Sequence, residues 1–350
     1  MVPKWSLTVP SVQELASQRL DTIPSRYVRD NMNDIIVTVP SDQSLRVPLI
    51  DMSNLVNRKA QPGELQKLHS ACKEWGIFQL VNHGVSDESW TEMKKIVEEL
   101  FYLPFRGRER WAKKPGNNEG YGHLFVGSEE QKLEWNDMVF LKVLPIESKK
   151  LESWPENTHQ FRETLVSYIE DMKQVAASII RFMATGLEVQ NEEFYKAYEE
   201  GNYDVRINIY PTCPEPEKAT GIVPHIDIHA ITLLQDYGEL PALPVLKDDQ
   251  WVFIEPIDGA IVVDLGGIMQ IMSNGIYKSP INRAIVNKSK ERISVVTLCN
   301  PNSSLSIALA KELVNKSGSP PLYKTVTLDE YFKCFWNSIP KVPLMDNLKF

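Results

Sequence analysis

The stretch PHIDIH, residues 224–229, sets three groups capable of metal or proton chemistry close together: His225, Asp227 and His229. On an extended strand, residues two apart share a face. An imidazole and a carboxylate spaced this way can reach one ion. Two histidines and one carboxylate on one side of an ion leave positions open for small ligands. A lone H-x-D is a weak signal, and the three residues cannot all close on one ion from a straight strand. Such a strand sets residues 225 and 229 roughly 13 Å apart, whereas metal–ligand bonds are only about 2 Å. His229 becomes a ligand only if the chain bends sharply. Otherwise it is a pocket residue with an acid–base role, because imidazole titrates near neutrality.

A second constellation follows downstream. In KERISVV, Arg292 and Ser294 share one strand face. A guanidinium fork beside a hydroxyl suits the carboxylate of a small diacid. Upstream, RINIYP places Asn208 and Tyr210 on one face of another strand.

These residues need elements to hold them. Ser11 is a plausible N-cap, with Glu14 three positions on to complete a capping box and Pro24 to end that helix. The stretch 46–55 reads as a short strand. Helical periodicity marks 62–76, with Leu65, Leu68, Ala71, Cys72 and Trp75 on one stripe, then 87–104 and the long pattern 161–189; 77–85 reads as a strand between the first two. Beyond residue 203 the character changes. The runs VRINIY, AITLLQ, LPVL, WVFIEPI, AIVVDLG, IMQIMSNG, AIVNK and RISVVTLC recur with turn residues between them. Many short strands at such spacing predict a barrel or sandwich. ALAKELV and 327–339 read as closing helices.

Composition bounds the rest. The 350 residues carry 43% apolar and 24% charged side chains, as an ordinary globular chain does. A net charge of −8 argues against a nucleic-acid partner. Cys72, Cys213, Cys299 and Cys334 are scattered, which implies neither a zinc knuckle nor a disulfide framework. No apolar run is long enough to span a membrane, and no signal-peptide core opens the chain. A cytoplasmic monomer acting on a hydrophobic small molecule, without nucleic-acid or membrane partners, is the expectation.

With these motifs in order, the chain resembles the plant 2-oxoglutarate- and Fe(II)-dependent dioxygenases of specialised metabolism. The nearest group is that of the senescence-related dioxygenases and the thebaine and codeine O-demethylases. The resemblance rests on VPSVQELA, KLHSACKEWGIFQLVNHGV, SEEQKLEWNDM, INIYPTCPEPE, PHID, IMSNGIYKS and NKSKERISVVT, and it covers nearly the whole chain. It implies an α+β fold with a double-stranded β-helix (jelly-roll) barrel at 201–305. A helical N-terminal region with early strands at 1–200 would pack against the barrel, and 306–350 would form a C-terminal helical lid. It places His225 and Asp227 on the first two iron positions. It places Arg292, Ser294, Tyr210 and Asn208 around 2-oxoglutarate, with ascorbate as reductant.

One departure stands at the centre. The family's third iron ligand is a histidine, and the matching position here is Asn282. The six histidines are His69, His83, His123, His159, His225 and His229, so none follows residue 229. An amide oxygen is a poorer donor for Fe(II) than imidazole, and iron should be held weakly or not at all. Gly266-Gly267 replaces the family's Gly-Asp pair, ALPVL stands where the family has GLQ, and Pro280 and Ile281 are unusual. Three functions follow as expectations. The first is an oxygenase that hydroxylates, demethylates, desaturates or closes a ring on a terpenoid, alkaloid or phenolic. The second is a non-oxidative cyclase, lyase or isomerase on the same barrel, with furan formation on a limonoid-type triterpenoid as an example. The third is an inactive binding protein.

Overall fold

The computed structural model describes residues 7–350, apart from 30–36, 39–44, 58–62, 115, 125, 156–158, 311, 314–319 and 338–343. Among the described residues, thirteen strands are found in chain order: β1 Val37–Thr38, β2 Leu49–Asp51, β3 Ile77–Val81, β4 Gly120–Gly122, β5 Asp137–Leu144, β6 Asn202–Tyr210, β7 Ile222–His225, β8 Ile231–Asp236, β9 Pro244–Lys247, β10 Gln250–Phe253, β11 Ile261–Leu265, β12 Asn282–Ala284 and β13 Arg292–Asn300. They form an eight-stranded sheet, β2-β3-β11-β8-β13-β6-β5-β4, and a five-stranded sheet, β1-β10-β9-β12-β7. The sheets meet across Val245, Val252 and Val262, which are buried in one cluster. This is an α+β jelly-roll.

Alternation decides which side chains face the site. On β6, Tyr203, Val205, Ile207 and Ile209 are fully buried in the main core. There they pack with Tyr168, Ile169 and Met172 of the helix His159–Gly186. The even residues Asp204, Arg206, Asn208 and Tyr210 take the opposite, concave face. Register extends that face across the sheet. Arg292 pairs with Tyr210, Ser294 with Asn208 and Asp236, and Leu298 with Asp204 and Thr232. Thr232 in turn faces Asp264.

Several elements differ from expectation. Residues 46–55 are not one strand: β2 stops at Asp51, whose carboxylate caps the helix Met52–Val56 through Ser53 N and Asn54 N. IMQIMSNG is not a strand: its first five residues belong to the helix Gly267–Met272. An apolar run buried on every side has the same composition in either state. AIVNK is not a strand of its own either, since β12 ends at Ala284. The capping box at Ser11 is half formed. Its hydroxyl accepts from Glu14 N at 3.4 Å, but the Glu14 carboxylate accepts instead from Arg108 Nη2 at 2.8 Å. In ALAKELV, residues 311 and 314 lie outside the described residues, 308–310 are not helical and 312–313 form only a fragment of helix, whereas the last helical pattern forms Leu328–Asn337.

Candidate active site

His225 ends β7, and the chain leaves the strand immediately after it. The alternation read through 225–229 therefore stops at the first residue. What brings Asp227 beside His225 is a bend, and two main-chain bonds fix it: Gly267 N donates to Asp227 O at 2.8 Å, and Gly266 N donates to Ala230 O at 3.0 Å. The bend needs glycine. A Cβ on Gly266 would lie 1.9 Å from His229 O, and one on Gly267 would lie 2.5 Å from the Tyr331 hydroxyl. The Gly-Gly departure thus makes room for a tyrosine from the C-terminal helix.

His225 Nε2 and Asp227 Oδ1 stand 3.3 Å apart. Two donors about 2.1 Å from one ion and at right angles to each other would be separated by roughly 3 Å, so this pair fits a shared metal. His225 Nδ1 lies 2.8 Å from Val223 O, which holds the tautomer with Nε2 inward. Thr232 Oγ1 donates to Asp227 Oδ2. Burial alone would push Asp227 up and His225 down. Their mutual hydrogen bond and opposite charges outweigh it, so Asp227 falls to about 2 and His225 rises above its ordinary value.

Asn282 lies directly across from His225 in the β12–β7 ladder. Its Nδ2 donates to Asp264 Oδ2 at 2.6 Å, and both residues are 5% exposed. Only the amide oxygen is left to face an ion. Among the described residues, no group of three His, Cys, Asp or Glu side chains is placed to hold a metal. The protein offers one imidazole, one carboxylate and at most one amide oxygen. Asp264 was not singled out from the sequence. Burial and the charge of Asp227 raise its carboxyl well above the usual range, and its Oδ1 has no hydrogen-bond partner.

His229 does not join the pair. Its Nδ1 lies within 3.0–3.2 Å of the Asn300 amide, and its ring lies 6.0 Å from that of Phe332. Burial lowers its pKa, and the charge of Asp227 offsets this only in part. It is a neutral imidazole on the pocket wall.

The second constellation is assembled by β6 and β13. Arg292 lies over the Tyr210 ring at 5.0 Å, and Asn208 Nδ2 donates to Ser294 Oγ at 3.3 Å. A residue not foreseen completes it. Asp236 accepts from Arg292 Nε at 3.0 and 3.1 Å and from Nη2 at 2.8 Å. One edge of the guanidinium is therefore taken, and the Nη1 edge remains for a ligand carboxylate. Arg292–x–Ser294 is legible in sequence because both residues sit on one strand. Asp236, Thr232 and Asp264 come from other strands, and only register reveals them.

A jelly-roll with a His–Asp donor pair between its sheets and a guanidinium anchor below defines a class: oxygenases that take a metal ion and a small diacid. Comparison with known proteins agrees. Residues 47–158 match the model of the non-haem dioxygenase N-terminal region in morphine synthesis. Residues 201–301 match that of the 2OG-Fe(II) oxygenase superfamily. The chain is 39% identical to S-norcoclaurine synthase 1 of Coptis japonica over 93% of its own length and 92% of the relative's. It is 37% identical to codeine O-demethylase of Papaver somniferum, with the same two coverages. The crystal structure of JOX2 with 2OG, Fe and JA superposes with a TM-score of 0.86 at 32% identity, covering 99% of both chains. The protein belongs to the 2-oxoglutarate- and Fe(II)-dependent oxygenase family.

Proposed function

We propose that this protein is a 2-oxoglutarate-dependent oxygenase of plant specialised metabolism acting on a hydrophobic small molecule. The observation that carries this is the joint placement of the His225–Asp227 pair and the Arg292–Ser294–Tyr210 group on facing walls of one barrel. Relatives named as O-demethylases of codeine and thebaine, at 37% and 35% identity, support the substrate size class. With Fe(II) and 2-oxoglutarate bound, such a site couples decarboxylation of the diacid to oxidation of a second substrate. His225 and Asp227 would hold the ion, with Asn282 Oδ1 as a weak third donor. Thr232 keeps the Asp227 carboxylate turned. Arg292 and Ser294 would hold the distal carboxylate, and Tyr210 would back the guanidinium. His229, neutral and against Phe332, helps form an apolar wall that keeps water away.

Asn282 favours a second reading as well. With no imidazole at the third position, the pocket suits elimination, cyclisation or isomerisation, in which His229 and Asp227 would move a proton without iron. The two separate by experiment. Succinate formation from 2-oxoglutarate, dependent on added Fe(II) and abolished in Asp227→Ala, supports the oxygenase. Conversion of a substrate by metal-free protein, with no succinate formed, supports the second reading and overturns the first.

A further inference from the structure

Asp264 closes no three-membered metal group with His225 and Asp227, yet it stands next to both. On β11 it pairs with Thr232, whose hydroxyl holds Asp227, and with Ile77, which is buried between the sheets. Asn282 approaches from the other sheet. It lies across from His225 on β7 and from Val245 on β9, and Val245 is buried in the same space as Ile77. The bond from Asn282 Nδ2 to Asp264 Oδ2 therefore joins the five-stranded sheet to the eight-stranded one, beside the metal pair. It is 2.6 Å long, and both residues are 5% exposed. Oδ1 of Asp264 is buried and has no hydrogen-bond partner.

An amide whose N–H is held by a carboxyl group can turn only its oxygen toward an ion. The arrangement matches a metal-bound imidazole whose other N–H is held by a carboxylate. That outer partner fixes the ring and raises its basicity. Asp264 would do the same for an amide, fixing its orientation and polarising its oxygen. The donors around the ion are then His225 Nε2, Asp227 Oδ1 and Asn282 Oδ1, one nitrogen and two oxygens. A histidine at the third position would instead give two nitrogens and one oxygen. Imidazole suits iron, whereas carboxylate and carbonyl oxygens suit Mn(II).

We propose that Asp264 is a positioning residue of the metal site, and that the Asp264–Asn282 pair makes an oxygen-rich centre that holds Mn(II) as tightly as Fe(II). The proposal rests on the proposed function only in placing an ion at the His225–Asp227 pair. The unpartnered Oδ1 of Asp264 is left as an acceptor for a water molecule carried by that ion. A buried acceptor without such a partner is costly. The ion's own charge would also offset that of Asp227, which bears on the Asp264 carboxyl.

The test is anaerobic titration of the full chain with Mn(II), read from the electron paramagnetic resonance signal of the free ion, with Fe(II) as competitor and no 2-oxoglutarate. The wild type should bind the two ions within about threefold of each other, and Asn282→His should favour Fe(II) by at least about tenfold, because imidazole is the donor that separates them. Asp264→Asn keeps an acceptor for Asn282 Nδ2 and removes the carboxylate. It should lose about tenfold in Mn(II) affinity, as removal of an outer partner does. A residue that merely braced the two sheets would change the melting temperature and leave the affinity alone, so an unchanged Mn(II) affinity in Asp264→Asn would overturn the proposal. The wild-type ratio needs no variant to fold. A preference of the wild type for Fe(II) by more than about tenfold would also overturn the proposal, and would leave the oxygenase reading standing. Binding of neither ion would overturn both. Succinate formation with Fe(II) and 2-oxoglutarate decides the oxygenase reading separately.

Discussion

Replacing Asn282 by alanine should expose what the amide does for Asp264. The Nδ2–Oδ2 bond is 2.6 Å long and buried. Oδ1 of the same carboxyl already lacks a partner. Asn282→Ala therefore removes the carboxyl's one side-chain hydrogen bond among the described residues. A buried group left unsatisfied costs about 1–3 kcal/mol, and the small void adds to it, so a loss of about 2–4 kcal/mol is expected. Asp264→Ala alone should cost less, because it also removes the desolvated acid. In a double-mutant cycle the coupling should be about 1.5–3 kcal/mol. Guanidinium unfolding at pH 7 measures it, provided the slopes stay equal. Coupling under about 0.5 kcal/mol would show that the two side chains do not hold each other, and the description of the third position would fail with it.

Asn282→His should lower the stability of the metal-free protein for the same reason. It should regain about 2.7 kcal/mol when Fe(II) is supplied at a hundred times its dissociation constant, and a melting curve with and without metal reads both effects. Gly266→Ala should be among the most damaging single changes, by about 3 kcal/mol. The added carbon meets main chain at His229, which has no rotamer to yield; an unchanged denaturation midpoint would contradict this. Asp236→Asn frees the Arg292 guanidinium from its clamp. It should relax the preference for 2-oxoglutarate over its one-carbon-longer homologue, measured by competitive binding, while the Fe(II) affinity stays the same.

The acids also set a pH dependence. Asp204 has a folded pKa raised from 3.8 to about 7, and Asp264 is raised as well. The native state therefore binds these protons more tightly than the unfolded chain does. Their stability contribution is complete below about pH 4 and is lost as pH rises through the folded values. Asp204→Asn should thus be more stable than wild type at pH 8 and no more stable at pH 4. Equal stability at both values would refute the assignment.

Strand alternation and spacing make much of the fold legible in the sequence. The concave faces of β6 and β13 follow from RINIY and RISVV, because hydrophobic residues alternate there against a single helix. The site was legible only in part. His225–Asp227 could be read, but not the bend after His225, because Gly266 and Gly267 act through main-chain contacts with residues far along the chain. The helix Gly267–Met272 was hidden because all but one of its residues are buried, so it has no amphipathic stripe to show. Asp236, Thr232 and Asp264 act across strands, where register decides and local sequence does not. Tyr331 reaches the site from the last long helix, and only the missing side chain at Gly267 hinted at it.

The most direct measurement is anaerobic titration of the purified protein with Fe(II) and then 2-oxoglutarate, reading the visible charge-transfer band of the chelate, with Asn282→His in parallel. A band is expected in the wild type at elevated Fe(II), and the same band at lower Fe(II) in Asn282→His. A band in Asn282→His and none in the wild type at any Fe(II) concentration would contradict it, and would mean that this barrel has kept the pocket and given up the iron.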